Sequence, residues 1–305
     1  MLTRHTRKDI TWIDLESPTR QELQDVVTEF GIDARIEEEI ISPTPYPLVV
    51  ASPNYLYLIL HFPTTDPRGG AKNQEIDFIV GKNFMITARY EVIDSIHNLH
   101  KVFEAEELLG LPSKQADAEG LLERVLRHLY AALCEETEQI ARMLERIEND
   151  IFAGKERQTV LNLSKVSRVL LRFDTTLLRH GDPLSTFLNS LAEPEFFGKN
   201  FKQHVAHVEA ERAHAAALVG NYRAVTNELR KTNDSLLSSK QNDIVTRLTI
   251  IAFATFPLTV ITGVFGMNVS GTPFVDSANA FWIVIGIMAL SVTSFVSFFK
   301  FRKWL

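Results

Sequence analysis

The stretch Leu248-Thr249-Ile250-Ile251-Ala252-Phe253-Ala254-Thr255-Phe256-Pro257-Leu258-Thr259-Val260-Ile261-Thr262-Gly263-Val264-Phe265-Gly266-Met267 contains no Lys, Arg, Asp or Glu. A short turn, Asn268 to Asn279, follows it, and a second uncharged run, Ala280 to Phe299, follows the turn. A helix needs about 20 mainly apolar residues to cross a hydrocarbon core of ~30 Å, and each run meets that length. The first run begins just after Arg247, and the second stops at Lys300-Phe301-Arg302-Lys303. Asp276 is the only formal charge between them. The reading is a two-span membrane protein with a large N-terminal body.

Averages conceal this division. The whole chain is 45% hydrophobic and 23% charged with a net charge of -6, values typical of a water-soluble protein. The charge sits almost wholly ahead of the first span, in a segment long enough for one large or two small folded layers. Arg247 and the cluster Lys300, Arg302, Lys303 flank the spans, whereas the connecting turn has neither Lys nor Arg. The positive-inside rule then places both termini in the cytoplasm and the turn outside, in a plasma or inner membrane. Met1 to Lys8 is polar and basic with no apolar core behind it, unlike a signal peptide. The single cysteine, Cys134, excludes an intrachain disulfide and fits a reducing compartment.

Residues 1–90 read as mixed α/β. Ile10 to Leu15 is expected to be a strand, and Ser17-Pro18-Thr19 a helix start before Arg20 to Phe30, with Gly31 as the stop. Asp33 to Ile41 reads as a second short helix. Asn54 to Phe62, Glu75 to Val80 and Asn83 to Arg89 read as strands, the last two joined across Gly81-Lys82, and Pro67 to Asn73 as a polar loop. Beyond Tyr90 the pattern turns helical. Leu122, Val125, Leu126, Leu129, Leu133, Ile140, Leu144, Ile147 and Ile151 recur at three- and four-residue steps, a long amphipathic helix ended by Gly154. A second helix is expected from Arg157 to His180, broken by Gly181 and Pro183. A third begins near Asn200 and meets no proline before Pro257, so it reads as one helix that leaves the body and becomes the first span. At ~1.5 Å per residue it extends on the order of 100 Å. The domain reading is 1–90, an α/β subdomain; 91–240, a helical and stalk subdomain; and 241–305, the two spans.

The end of the first span reads Phe265-Gly266-Met267-Asn268, preceded by Phe256-Pro257-Leu258-Thr259 and Gly263, and the chain closes Lys300-Phe301-Arg302-Lys303-Trp304-Leu305. This arrangement resembles the CorA family of divalent-cation channels and transporters. Trp12-Ile13-Asp14-Leu15 and Asp77-Phe78-Ile79-Val80-Gly81 with Ile86-Thr87 are also similar to that family's soluble domain, so the resemblance covers essentially the whole chain. It implies an α+β cytosolic domain with a long stalk helix followed by two transmembrane helices, assembled as a funnel-shaped homopentamer. First spans would line a central pore, second spans would face lipid, and Gly266, Met267 and Asn268 would form the filter at the outer mouth.

The residues support that picture independently. Steps of three and four from Asn242 collect Asn242, Val245, Thr249, Ala252, Phe256, Thr259, Gly263 and Gly266 on one seam, with Leu248 nearby. Ile250, Phe253, Leu258, Ile261 and Phe265 fall on the other face. A seam of small and polar residues also suits tight helix packing. Mg²⁺ demands octahedral oxygen ligands and releases its waters reluctantly, so rings of neutral oxygens from Asn268, Thr259 and Asn242 would hold a hydrated ion. Phe256, Val245 and Leu248 would narrow the path and close it by dewetting. Family members selected for magnesium commonly follow the triplet with Met-Pro-Glu-Leu, whereas this chain reads Val269-Ser270-Gly271-Thr272-Pro273-Phe274-Val275-Asp276. Asp276 is then the one acid at the mouth, and transport of Zn²⁺ or Co²⁺ stands as an alternative to Mg²⁺.

Other features read as ordinary. His97 with His100, and His204 with His207 and His214, sit at helical spacing without a third ligand in sequence, and read as packing or surface histidines rather than zinc ligands. Glu135, Glu136, Glu138, Glu145, Glu148 and Asp150 read as a solvated helix face. The basic tail suits anionic headgroups. No phosphate loop, nucleophile motif or His/Cys cluster points to an enzyme, and no nucleic-acid partner is expected. The reading from a different class is a membrane-tethered sensor whose spans only anchor and oligomerise it.

Overall fold

A computed structural model describes residues 1–7, 10–66, 70–109, 117–267 and 279–302. Two compact units divide the chain, Met1–Arg230 and Lys231–Leu305.

The first unit is built on a six-stranded sheet: β1 (Leu2–Arg7), β2 (Ile10–Glu16), β3 (Leu48–Ala51), β4 (Tyr55–Asp66), β5 (Gly70–Gly81) and β6 (Phe84–Arg89), in the order β1-β2-β6-β5-β4-β3. Every pairing is antiparallel except β2 with β6, which runs Thr11 opposite Phe84 to Glu16 opposite Arg89. Trp12, Ile13, Asp14 and Leu15 are all buried, so β2 is covered on both faces and its sequence shows no polar alternation. On one face lie α1 (Arg20–Phe30) and α2 (Ala34–Ile41), whose Leu23, Val26, Val27, Ile36 and Ile40 pack with Ile13, Tyr57, Ile59, Ile79 and Ile86. Thr19 and Glu22 close a capping box at the start of α1, and Gly31, at φ +63°, ends it in the left-handed conformation that glycine adopts without strain. Asp33 caps α2 through its side chain.

The other face carries α3 (Asp94–Leu108), α4 (Ala118–Phe152) and α5 (Glu156–Leu191). The heptad-like positions expected on α4, from Leu122 to Ile151, are its buried stripe. A 3-10 turn at Lys199–Phe201 leads into α6 (Lys202–Phe265), and α7 (Ala280–Phe301) completes the second unit. Among the described residues two helices are thus long and apolar enough to cross a membrane, one within α6 and the other in α7.

Two expectations need correction, and one edge strand has no counterpart in the sequence reading. The polar loop Pro67 to Asn73 is shorter than expected: Gly70 to Asn73 belong to β5 and pair with Pro63 to Asp66 of β4, backbone pairing here overriding polar composition. The basic N-terminus is an edge strand, β1, tied by the Glu16 N–H to the Met1 carbonyl at 2.9 Å. Charged side chains are a usual protection for such an edge. Finally, α5 does not break at Gly181 and Pro183. Leu184, Phe187, Leu188 and Leu191 are fully buried and continue the stripe of Phe173 and Leu177, so burial outweighs the roughly 3 kcal/mol that an interior proline costs.

Candidate functional site

In the second unit most of the α6 surface is exposed, and one stripe is covered. Ile250, Ala254, Pro257, Leu258, Ile261 and Phe265 are wholly or partly covered at steps of three and four, while Asn242, Val245, Leu248, Ala252, Phe256, Thr259, Gly263 and Gly266 are exposed, as are Ile251, Val260, Val264 and Phe253, the last expected on the covered face. Phe256 shows 68% of its surface. Thr249, expected on the same seam, is half covered. On α7 a matching covered stripe runs through Val284, Met288, Val292, Phe295 and Phe299. The Phe253 and Phe299 rings meet at 6.4 Å, so the two helices touch at this level.

Local chemistry follows from the threonines. Thr249 donates its hydroxyl to the Val245 carbonyl at 2.8 Å, Thr259 to that of Thr255 at 3.1 Å, and Thr262 to that of Leu258 at 2.9 Å. Each hydroxyl proton is thereby held by the helix backbone, which leaves oxygen lone pairs outward. On exposed Thr259 this produces an acceptor-only surface, the type of group a hydrated cation meets favourably. Asn242 and Thr259 are separated by about 25 Å along the axis at ~1.5 Å per residue. They belong to successive levels and not to one coordination sphere. Among the described residues no group of three or more His, Cys, Asp or Glu side chains is arranged to hold a metal ion.

Gly266 closes the helix. Its N–H donates to the Thr262 carbonyl at 2.9 Å, and a Cβ at this position would stand 2.8 Å from that same oxygen. Glycine is therefore required there by close backbone approach. At Gly263 a Cβ would meet nothing within 4 Å. Met267 is exposed, while Asn268 and Asp276 lie outside the described residues.

Of the histidines at helical spacing, His100, His204 and His207 are packing and hydrogen-bonding residues, while His97 and His214 are exposed. His100 stacks on Trp12 at 4.2 Å and approaches Asp14 Oδ2 with Nε2 at 3.0 Å. Asp14 is buried and also receives Arg89 Nε at 3.1 Å and the Thr87 hydroxyl at 2.6 Å. Burial pushes the Asp14 carboxyl up, but the His100 hydrogen bond and the Arg89 charge outweigh it and hold it below the usual range. Sequence spacing did not single out this network, since its members come from β2, β6 and α3. His204 and His207 of α6 both turn Nδ1 to the carboxylate of Glu123 on α4, His207 at 2.9 Å. Glu136, read as part of a solvated face, instead accepts from the Thr65 N–H at 3.0 Å and from the hydroxyls of Thr64 and Thr65.

Residues 7–303 match the family model described as "CorA-like Mg2+ transporter protein". The cobalt/magnesium transport protein CorA of Thermotoga maritima is 25% identical over 301 residues, spanning 97% of this chain and 83% of the relative. The corresponding protein of Methanocaldococcus jannaschii is 22% identical over 97% of this chain and 92% of its own length. Among solved structures, the complete CorA magnesium transporter from M. jannaschii superposes with a TM-score of 0.83 at 21% identity, covering 97% of this chain and 92% of that one. Full-length CmaX superposes less closely, with a TM-score of 0.62 at 15% identity over 97% of this chain and 88% of that one. The fold is that of these full-length proteins, and with its family model matched over nearly its whole length the chain belongs to the CorA-like Mg²⁺ transporter family.

Proposed function

We propose that this chain is the subunit of a homopentameric channel that admits Mg²⁺ through a central pore lined by the exposed stripe of α6. Gly266, Met267 and Asn268 act as the filter at the outer mouth, Thr259 and Asn242 supply oxygen rings further in, and Phe256, Leu248 and Val245 form the apolar constrictions. Asp276 concentrates cations at the entrance, both termini are cytoplasmic, and residues 1–90, 91–240 and 241–305 serve as sensing body, stalk and pore. The ion passes with water retained, drawn by a negative-inside potential of about 2.3 kcal/mol per charge per 100 mV.

One observation carries the reading: the residues expected on the pore seam, Thr249 apart, are bare in the protomer. A membrane helix that keeps an amide, a hydroxyl and two glycines uncovered has reason to turn them toward water or toward other copies of itself. Gly263 adds to this, because nothing within the protomer restricts its Cβ, and a glycine there suits close approach between copies. The CorA relatives, named for magnesium and cobalt transport, favour those ions. The Val269 to Asp276 segment, which lacks a glutamate after the triplet, favours keeping Zn²⁺ as the second reading.

Uptake of Mg²⁺, Co²⁺ and Zn²⁺ into proteoliposomes with an imposed negative-inside potential tests the proposal, using wild type, Asn268→Ala and Thr259→Val. Selective Mg²⁺ uptake, abolished by Asn268→Ala and reduced by Thr259→Val, is the expected result. Zn²⁺ uptake driven by a proton gradient would support the second reading. A sealed, assembled protein that moves none of the three ions would sink both and leave a tethered sensor.

A further inference from the structure

On the outer face of α5, Lys165, Arg168 and Arg172 follow one another at steps of three and four, and Arg179 continues the line. Together with the Gly70 to Asn73 stretch of β5 they line an open cavity of about 800 Å³ in which no carboxylate takes part among the described residues. Several other guanidinium groups of the first unit do meet acids: Arg89 meets Asp14 and Glu16, Arg124 meets Glu106, Arg127 meets Glu211 and Glu123, and Arg223 meets Asp174. The chain as a whole is acidic, with 38 acidic against 32 basic residues, yet the lining of this cavity carries four cations and no acid among the described residues. Like charges three and four residues apart repel weakly along a helix, and a bound anion would relieve that repulsion.

The cavity has organised donors. Arg172 is held in place by its hydrogen bond to the Ala71 carbonyl. The Thr176 hydroxyl donates to Asn73 Oδ1 at 3.3 Å, which leaves the Asn73 amide N–H groups available to a guest. Lys165 to Arg172 covers about 10 Å of helix axis, and Arg179 lies about 10 Å beyond, at ~1.5 Å per residue. A single phosphate cannot engage that line, but an extended polyphosphate can, with bidentate guanidinium contacts along its length. The volume falls within the range of about 300–1,000 Å³ usual for small-molecule sites. Val169 and Leu171 add apolar lining. We infer that this groove binds a soluble polyphosphate anion of the nucleoside triphosphate class, held by Lys165, Arg168, Arg172 and Arg179. The inference is independent of the transport reading.

The test is calorimetric titration of the full-length protein, in nanodiscs of zwitterionic lipid and without divalent ions, with ATP, tripolyphosphate and orthophosphate. Both polyphosphates should bind at one site per chain, weakening as salt rises, and orthophosphate should bind at least about tenfold more weakly. The double variant Lys165→Gln/Arg168→Gln should lose at least about tenfold in affinity for ATP, while Arg142→Gln on the exposed side of α4 should not. Both altered lysine and arginine side chains are exposed, so unfolding curves of the variant should overlay those of the wild type. Absence of polyphosphate binding, or equal binding by the double variant, would overturn the assignment. So would a groove that responds only to anionic lipid, or a double variant that changes subunit association with no polyphosphate bound.

Discussion

His180 is a buried base whose titration opposes folding in acid. Its ring is fully enclosed between α4, α5 and the sheet, with Nε2 2.8 Å from the His61 carbonyl oxygen and Nδ1 2.9 Å from the Tyr130 hydroxyl. A carbonyl only accepts, so Nε2 carries the proton and Nδ1 accepts from the tyrosine. Burial disfavours the imidazolium and lowers the pKa from 6.5 to about 4, against a smaller upward pull from the hydrogen bond to His61. Between these values the unfolded chain binds a proton that the folded chain refuses. The contribution is fully present above 6.5 and is lost as pH falls through about 4, a window of about 2.5 units at about 1.4 kcal/mol each, or roughly 3 kcal/mol. That is a large share of a typical stability of about 5–15 kcal/mol. His180→Gln keeps a polar, non-titrating side chain in the cavity. Denaturant unfolding of both proteins from pH 7 to pH 4, followed by tryptophan fluorescence with Trp12 buried in the sheet, measures the difference. The variant should begin less stable at pH 7 and lose about 3 kcal/mol less on acidification. Parallel curves over this range would show that His180 is not a neutral buried base, and would refute the assignment of its two hydrogen bonds.

Asp77 should behave with the opposite sign. Burial, then the neighbouring Glu75 charge, raise its pKa well above the ordinary value, and Tyr57 donates to its Oδ2 at 3.0 Å. Its stabilisation is therefore present below the ordinary aspartate range and lost as pH rises, so Asp77→Asn should flatten the loss of stability on the alkaline side of that range. Asp14→Ala leaves Arg89, which is 3% exposed, with Glu16 as its one carboxylate and removes the acceptor of Thr87, and should cost about 1–3 kcal/mol in the same unfolding measurement. Leu184→Ala, beyond the proline of α5, should cost about 2–5 kcal/mol, whereas a helix that ended at Gly181 would show almost no change.

How far the site could be read in advance depended on whether its members are close in sequence. The proposed pore seam of α6 can be drawn from the sequence because its residues recur along one helix, and the period of 3.6 carries them to one face whatever surrounds them. Thr249 fell partly under cover because it borders the stripe that includes Ile250. The buried cluster of Asp14, Arg89 and His100 was not legible, since β2, β6 and α3 bring it together across long separations. The same holds for Glu123 beneath His204 and His207, and for Glu136 holding Thr64 and Thr65.

By itself the sequence determined the two uncharged spans, the caps at Thr19, Gly31 and Asp33, the amphipathic stripe of α4 and the single helix of α6. Each of these rests on local geometry or on a run length that no partner is needed to define. Only the tertiary structure decided that α5 passes through Pro183, that Gly70 to Asn73 extend a strand, and that the basic N-terminus pairs as β1. In those places burial and backbone pairing supplied by distant residues exceed the local preference, and the local preference is all that a sequence displays.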